Sequence, residues 1–181
     1  MRRELLARRD QILGRAARSA AICERALSAP AFRHARAIHC YLSIRSEVDT
    51  RALIAVALTQ GKAVAVPVVE PGRRLSHCWI TGIDPADFTE GVLGTLTPRH
   101  IRPATPGDWD LMIVPMLGFD RAGYRIGYGM GYYDRLLAAA RGIALGVAFG
   151  AQEVADLPRE PHDLALDLIA TEDELIVSHS D

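Results

Sequence analysis

The most chemically suggestive stretch of this 181-residue chain is Arg125-Ile-Gly-Tyr-Gly-Met-Gly-Tyr-Tyr-Asp-Arg135, in which Gly127, Gly129 and Gly131 alternate before two tyrosines and an aspartate. Glycine leaves backbone N–H groups uncovered and lets a ligand approach the chain closely. Ahead of a helix, those N–H groups and the positive end of the helix dipole favour an anion such as phosphate. Arg125 and Arg135 add two cations. No Gly-Lys-Ser/Thr follows, so this is not a P-loop, and the glycines are not spaced as in a dinucleotide fingerprint. The same residues also suit a tight turn with Asp134 capping the next helix. Spacing alone leaves the phosphate cradle and the turn both open.

The elements that must position this stretch read as alternating strands and helices. Leu6, Leu13, Ala17, Ala20 and Leu27 form one stripe of a helical region that Gly14 can split and Pro30 ends. Ala37 to Ser43 predicts a buried strand, with Ser46 and Asp49 as helix caps and Thr50 to Gln60 as the helix. Lys62 to Val69 is the next strand, and strand-helix-strand implies a parallel pair. His77 to Ile83, Leu111 to Pro115, Ile143 to Phe149 and Leu164 to Ala170 predict further strands, with a helix around Asp134 to Ala140. The stretch up to Asp108 is irregular, and long loops of that kind often carry function. The expectation is a three-layer α/β single domain over residues 1–181, with a mostly parallel central sheet flanked by helices, Rossmann-like.

Composition narrows the function classes. The net charge is −1 at pH 7, which excludes a strongly basic nucleic-acid binder. An RNA-binding module using the Arg-rich start would also need interleaved aromatics, which are absent there. Cys23, Cys40 and Cys78 form no CxxC pair and suit three free thiols in a reducing compartment. Neither a signal peptide nor a membrane span is legible, and Glu4 and Asp10 argue against a transit peptide. A cytoplasmic protein is expected, with no nucleic-acid or membrane partner. After Gln152 there are nine acidic residues and only Arg159 as counter-charge, opposite to the six arginines in the first 18 positions. The two ends read as solvated faces, or as cations and carboxylates brought to one cleft.

The run Val114-Pro-Met-Leu-Gly-Phe-Asp-Arg-Ala-Gly-Tyr-Arg-Ile-Gly-Tyr-Gly-Met-Gly-Tyr-Tyr-Asp-Arg135 closely resembles the signature of the 5-formyltetrahydrofolate cyclo-ligase family, VP-x-x-x-FD-x-x-G-x-RLG-x-G-x-GYYDR. Tyr41 to Thr50, Gly61-Lys62 with Val66-Pro67, and Gln152 through Leu157-Pro158 to His162-Asp163 and Thr171-Glu172 follow in family order. The resemblance implies ATP- and Mg2+-dependent closure of 5-formyltetrahydrofolate to 5,10-methenyltetrahydrofolate by a monomer. It implies ATP binding by Arg125, Gly127, Tyr128, Gly129, Met130, Gly131, Tyr132 and Tyr133, with Arg125 and Tyr132 catalytic. Asp134 and Asp163 match Mg2+ ligands, a role suited to a hard cation that prefers carboxylate oxygens. Glu47 and Leu42 match the folate pocket, with Tyr132 near the formyl group.

Three departures from the family pattern stand out. The family's N-terminal Lys-x-x-x-Arg, both reaching ATP phosphates, is represented by Arg3. The lysine would lie before Met1, so the chain starts short, Arg2 substitutes as an ATP-binding cation, or the contact is dispensable, while Arg8 and Arg9 read as solvated. Met130 replaces a small residue, and Thr97 stands where many members have glutamate. These departures motivate the alternative of a non-catalytic folate- or nucleotide-binding paralogue.

Overall fold

A computed structural model describes residues 1–160 and 163–178; His162 lies outside the described residues. The N-terminal helical region is two helices, α1 (Arg2–Asp10) and α2 (Arg15–Ser28), because Gly14 turns left-handed at φ 65° between them. That break resets the helical phase, which corrects the predicted stripe. Leu13 is 85% exposed, and Ala17 and Ala20 face solvent. The buried face of α2 is instead Ser19, Ile22, Cys23 and Ala26, spaced i, i+3, i+4, i+7. Ala29 is extended, as residues before proline tend to be, and Pro30 opens the short helix α3 (Pro30–His34) rather than only ending a helix.

Strand β1 (Ala37–Cys40) leads through a loop to α4 (Arg51–Thr59) and β2 (Ala63–Glu70), and β1 pairs with β2 in parallel, as predicted. Neither predicted cap holds the N-cap position, which is Thr50: Asp49 accepts from the Arg51 N–H at 3.1 Å, and the Ser46 hydroxyl turns instead to Arg9 and Asp10. A tight turn returns the chain as antiparallel β3 (Arg74–Ile80). The irregular middle holds a small hairpin, β4 (Phe88–Glu90) with β5 (Leu96–Pro98), and then β6 (Pro103–Ala104). After β7 (Leu111–Val114) comes a two-stranded ribbon, β8 (Gly118–Phe119) with β9 (Arg125–Ile126). Helix α5 (Tyr132–Ala139), β10 (Ile143–Val147), β11 (Leu168–Ala170) and β12 (Leu175–Val177) complete the order.

The main sheet runs β12-β11-β10-β7-β1-β2-β3-β6. Its centre, β11-β10-β7-β1-β2, is parallel, and the strands beyond it at either end are antiparallel. Strand side chains alternate between two cores, as the period of two demands. On β7, Leu111 and Ile113 join α2, α3 and α4 through Ile22, Phe32, Leu53 and Ile54. Met112 and Val114 face the other way, onto Leu136 and Leu137 of α5. The result is the expected three layers with a mostly parallel sheet. All three cysteines are free and buried, and among the described residues no helix is long and apolar enough to cross a membrane.

The direction of chain progression reverses between β1 and β7. In open α/β sheets, ligands bind outside the carboxyl ends of strands at such a reversal.

Candidate functional site

A cleft of about 820 Å³ opens at that point. Tyr41 and Leu42 line it beyond β1, Pro115 and Met116 beyond β7, and Pro67, Val69 and Leu75 from the β2–β3 turn side. The loop after β1 is fixed from within: the Tyr41 hydroxyl donates to the Val48 carbonyl at 2.9 Å, and Thr50 donates to the Tyr41 carbonyl at 2.7 Å. Arg45 holds a left-handed φ of 54° on this loop, a conformation that non-glycine residues rarely adopt. The turn aims Glu47 into the cleft, where its carboxylate accepts the Ile44 N–H at 3.0 Å. Burial pushes the Glu47 carboxyl above the usual carboxylate range, opposed by that N–H, Arg9, Tyr128 and Arg45.

The opposite wall is the glycine loop. Gly129 and Gly131 are left-handed, at φ 88° and 66°. At Gly131, which begins α5, an added Cβ would also stand 2.9 Å from Arg135 Nη1. Gly127 needs neither explanation: its φ is ordinary and a Cβ would meet no protein atom within 4 Å. Its missing side chain keeps the cleft wall open. Arg135 donates to the Met130 carbonyl at 3.3 Å and the Arg73 carbonyl at 3.2 Å, and lies 5.6 Å over the Tyr132 ring. It thereby ties the glycine loop to the β2–β3 turn. Asp134 lies in the first turn of α5 but is not its cap; Gly131 holds that position, with no side-chain cap bond.

Arg125 is buried and ion-paired with Asp134, and its Nη1 donates to the Leu164 carbonyl at 3.2 Å. Burial lowers its pKa, against the opposing charges of Asp134 and Asp163. Asp163 closes a turn, accepting the Glu160 N–H at 2.7 Å. The segment leading to it is anchored by buried Asp120, which accepts from the Leu157 N–H at 3.3 Å and from Arg159 at 3.5 Å. Asp134 and Asp163 thus line one cleft with a single guanidinium between their charges. Among the described residues no group of three His, Cys, Asp or Glu could hold a metal ion. Mg2+ is commonly held by one or two carboxylates beside phosphate and water oxygens, so the pair fits that cation.

Of the residues singled out from sequence, the cleft brings together Arg2, Leu42, Glu47, Arg125, the run Gly127 to Tyr133, Asp134 and Asp163. Arg2 Nε donates to the Gly127 carbonyl at 3.1 Å, whereas Arg3 faces solvent and does not line the cleft. Thr97 pairs with Thr89 in the small hairpin, and Thr95 is the residue of that loop that reaches the cleft. Arg8 is exposed as expected, but Arg9 is not a solvated helix residue: it is 1% exposed. Arg9 and Leu5, four positions apart, are the buried face of α1, a spacing that could have signalled it. His39, His77 and Trp109 form a buried aromatic group that no sequence motif signals. His39 Nε2 lies 3.1 Å from His77 Nδ1, and the His39 ring centroid is 4.7 Å from that of Trp109.

The fold is thus a doubly wound α/β domain with one cleft at its topological switch point, where domains of this class hold their ligands. Residues 1–172 match the 5-formyltetrahydrofolate cyclo-ligase family, and the chain belongs to that family. It is 29% identical over 175 residues to the 5-formyltetrahydrofolate cyclo-ligase of Escherichia coli, covering 94% of this chain and 93% of that one. The Mycolicibacterium smegmatis 5-formyltetrahydrofolate cyclo-ligase is 31% identical over 150 residues, covering 79% and 77% of the two chains. The NMR structure of Aquifex aeolicus 5,10-methenyltetrahydrofolate synthetase superposes with a TM-score of 0.85 at 31% identity, covering 99% of this chain and 92% of that one.

Proposed function

We propose that this chain closes 5-formyltetrahydrofolate to 5,10-methenyltetrahydrofolate at the expense of ATP. The observation that carries the reading is a single cleft with Glu47 and Leu42 on one wall and the Arg125–Asp134 glycine loop on the other. The formyl oxygen attacks the γ-phosphorus of ATP and ADP leaves, giving a phosphorylated imidate. N10 then attacks the activated carbon and loses its proton. Phosphate departs with the C–O electron pair as the five-membered ring becomes the methenyl cation. The enzyme's task is positioning and charge stabilisation, as in other phosphoryl transfers.

Glu47 accepts hydrogen bonds from the pterin, with Leu42 against its apolar surface. Arg125, Arg2 and the amides of Gly127 to Tyr133 hold the phosphates, and Tyr132 orients the formyl end. Asp134 and Asp163 would hold Mg2+, which would supply positive charge against the phosphates. The chain works as a cytoplasmic monomer.

The test is absorbance at the methenyltetrahydrofolate band, with protein, 5-formyltetrahydrofolate and Mg2+ present and ATP added last. A rise that starts with ATP and is lost in Glu47→Ala and Asp134→Ala supports the reading. A flat trace from folded protein that still binds folate would replace it with the non-catalytic paralogue.

A further inference from the structure

Arg9 is the least expected polar residue near the cleft. Its guanidinium is 1% exposed and reaches three chain segments at once. Nε donates to Ser46 Oγ at 3.1 Å, beside Glu47 in sequence. Nη1 donates to the Met116 carbonyl at 3.2 Å, at the carboxyl end of β7. Nη2 donates to the Tyr128 hydroxyl, and the guanidinium lies 5.6 Å from the centroid of that ring. Among the described residues no carboxylate lies within ion-pair distance of Arg9.

A buried cation without an ion-pair partner is costly, so a purely structural role is poorly served by arginine here. The direction of its hydrogen bonds supplies a reason. The Ser46 hydroxyl accepts from Arg9 and donates to Asp10. The Tyr128 hydroxyl accepts from Arg9, which leaves its own O–H to act on the Glu47 carboxylate. Both hydroxyls thus stand between the guanidinium and a carboxylate, Asp10 beyond Ser46 and Glu47 beside Tyr128 in the cleft.

We propose that Arg9 is a positioning residue for substrate recognition, holding Ser46, Met116 and Tyr128 around Glu47 so that its carboxylate is fixed in the cleft. This rests on the reading of Glu47 as the folate-binding carboxylate. It adds that Tyr128, on the nucleotide wall, is also part of the folate wall. The charge of Arg9 favours ionised Glu47, the acceptor form. The other titratable groups around that carboxylate are Arg45 on its own loop, Tyr128 on the glycine loop, Tyr41 after β1 and Tyr133 on α5.

The experiment is calorimetric titration of 5-formyltetrahydrofolate into the parent, Arg9→Gln, Arg9→Lys, Tyr128→Phe and Glu47→Gln, with steady-state kinetics and thermal melts on each. Arg9→Gln should weaken folate binding about tenfold, and Tyr128→Phe about threefold. The loss in both should fall on KM rather than kcat, and Arg9→Lys should restore part of it. In Arg9→Gln the loss of affinity on acidification should begin at higher pH, because Glu47 protonates sooner without its cation. If Arg9→Gln fails to fold, Tyr128→Phe carries the test, since the removed hydroxyl belongs to a side chain on a residue 40% exposed. Parent-like folate affinity in Tyr128→Phe and in every Arg9 variant that folds, with Glu47→Gln weakened, would overturn the role of Arg9. Full affinity in Glu47→Gln would remove the Glu47 assignment, and this proposal with it.

Discussion

Arg125 and Asp134, nine residues apart, form an ion pair that is buried on one side and open on the other. The Arg125 side chain is 5% exposed and the Asp134 side chain 48%. Asp163 adds a second negative influence on the same guanidinium. One cation therefore answers two carboxylates, which leaves the cluster with an excess negative charge facing the cleft. Under the proposed function this excess charge would draw Mg2+ without a third ligand from the protein.

Asp134→Asn separates the two uses of that carboxylate. Half-exposed ion pairs contribute about 1 kcal/mol or less, so the melting temperature should change little. Turnover with Mg2+ and ATP should fall about a hundredfold, because charge stabilisation at a transferring phosphate is lost. Parent-like kcat/KM across a Mg2+ titration would remove Asp134 from the metal site.

Gly131→Ala and Gly127→Ala should behave differently, although the two glycines share one motif. Gly131 is left-handed and its Cβ would crowd Arg135, so alanine should cost about 1–2 kcal/mol in urea unfolding. Gly127→Ala has no such strain and should leave the unfolding midpoint in place. Its added methyl enters the open cleft, so KM for ATP should rise about fivefold or more. Equal destabilisation in the two variants would contradict the assignment of their roles.

His39 and His77 should make stability acid-sensitive. Burial holds both imidazoles below the ordinary histidine range, His39 well below it, with His77 adding to the effect on His39. Unfolding releases both to titrate near 6.5, so the unfolded chain binds protons first as the pH drops. Their contribution is therefore intact above about pH 6.5 and declines as pH falls from there toward the folded values. Urea midpoints measured from about pH 7.5 to 5.5 should decrease, and His39→Gln should flatten that slope. An unchanged slope in His39→Gln would assign the acid sensitivity to other groups.

Asp120→Ala should damage both stability and activity. The carboxylate is 1% exposed and accepts the N–H groups of Ala122, Tyr124 and Leu157. Stranding buried donors of this kind costs about 2–3 kcal/mol. Because Leu157 leads to Asp163, Mg2+ affinity should weaken even in the fraction that stays folded. A destabilised variant with parent Mg2+ dependence would confine Asp120 to a structural role.

The fold was largely legible because apolar runs such as Leu111 to Val114 and Ile143 to Val147 announce buried parallel strands without tertiary information. The helical stripe was misread because its phase was carried across Gly14 as though the helix were continuous. Most of the cleft residues were legible through motif order, which draws Glu47 and the glycine loop from distant parts of the chain. Arg9 was not, since an arginine on a short amphipathic helix looks solvated until Tyr128, more than a hundred residues later, packs beside it. His39 and His77 were hidden for a similar reason. They meet over the strand between them, where His39 is level with Ala65 and His77 with Pro67, and nothing local to either histidine signals that contact.

The contact between Arg2 and the Gly127 carbonyl joins positions 125 apart in the chain, and Asp163 lies further on still. During synthesis on the ribosome, most of the sheet can form before the last wall of the cleft has emerged. Nascent chains that stop short of Asp163 would carry a glycine loop without its second carboxylate. Under the proposed function, Mg2+-nucleotide capture would then have to wait for Asp163, and nucleotide would stabilise chains that contain it while offering little to shorter translation products.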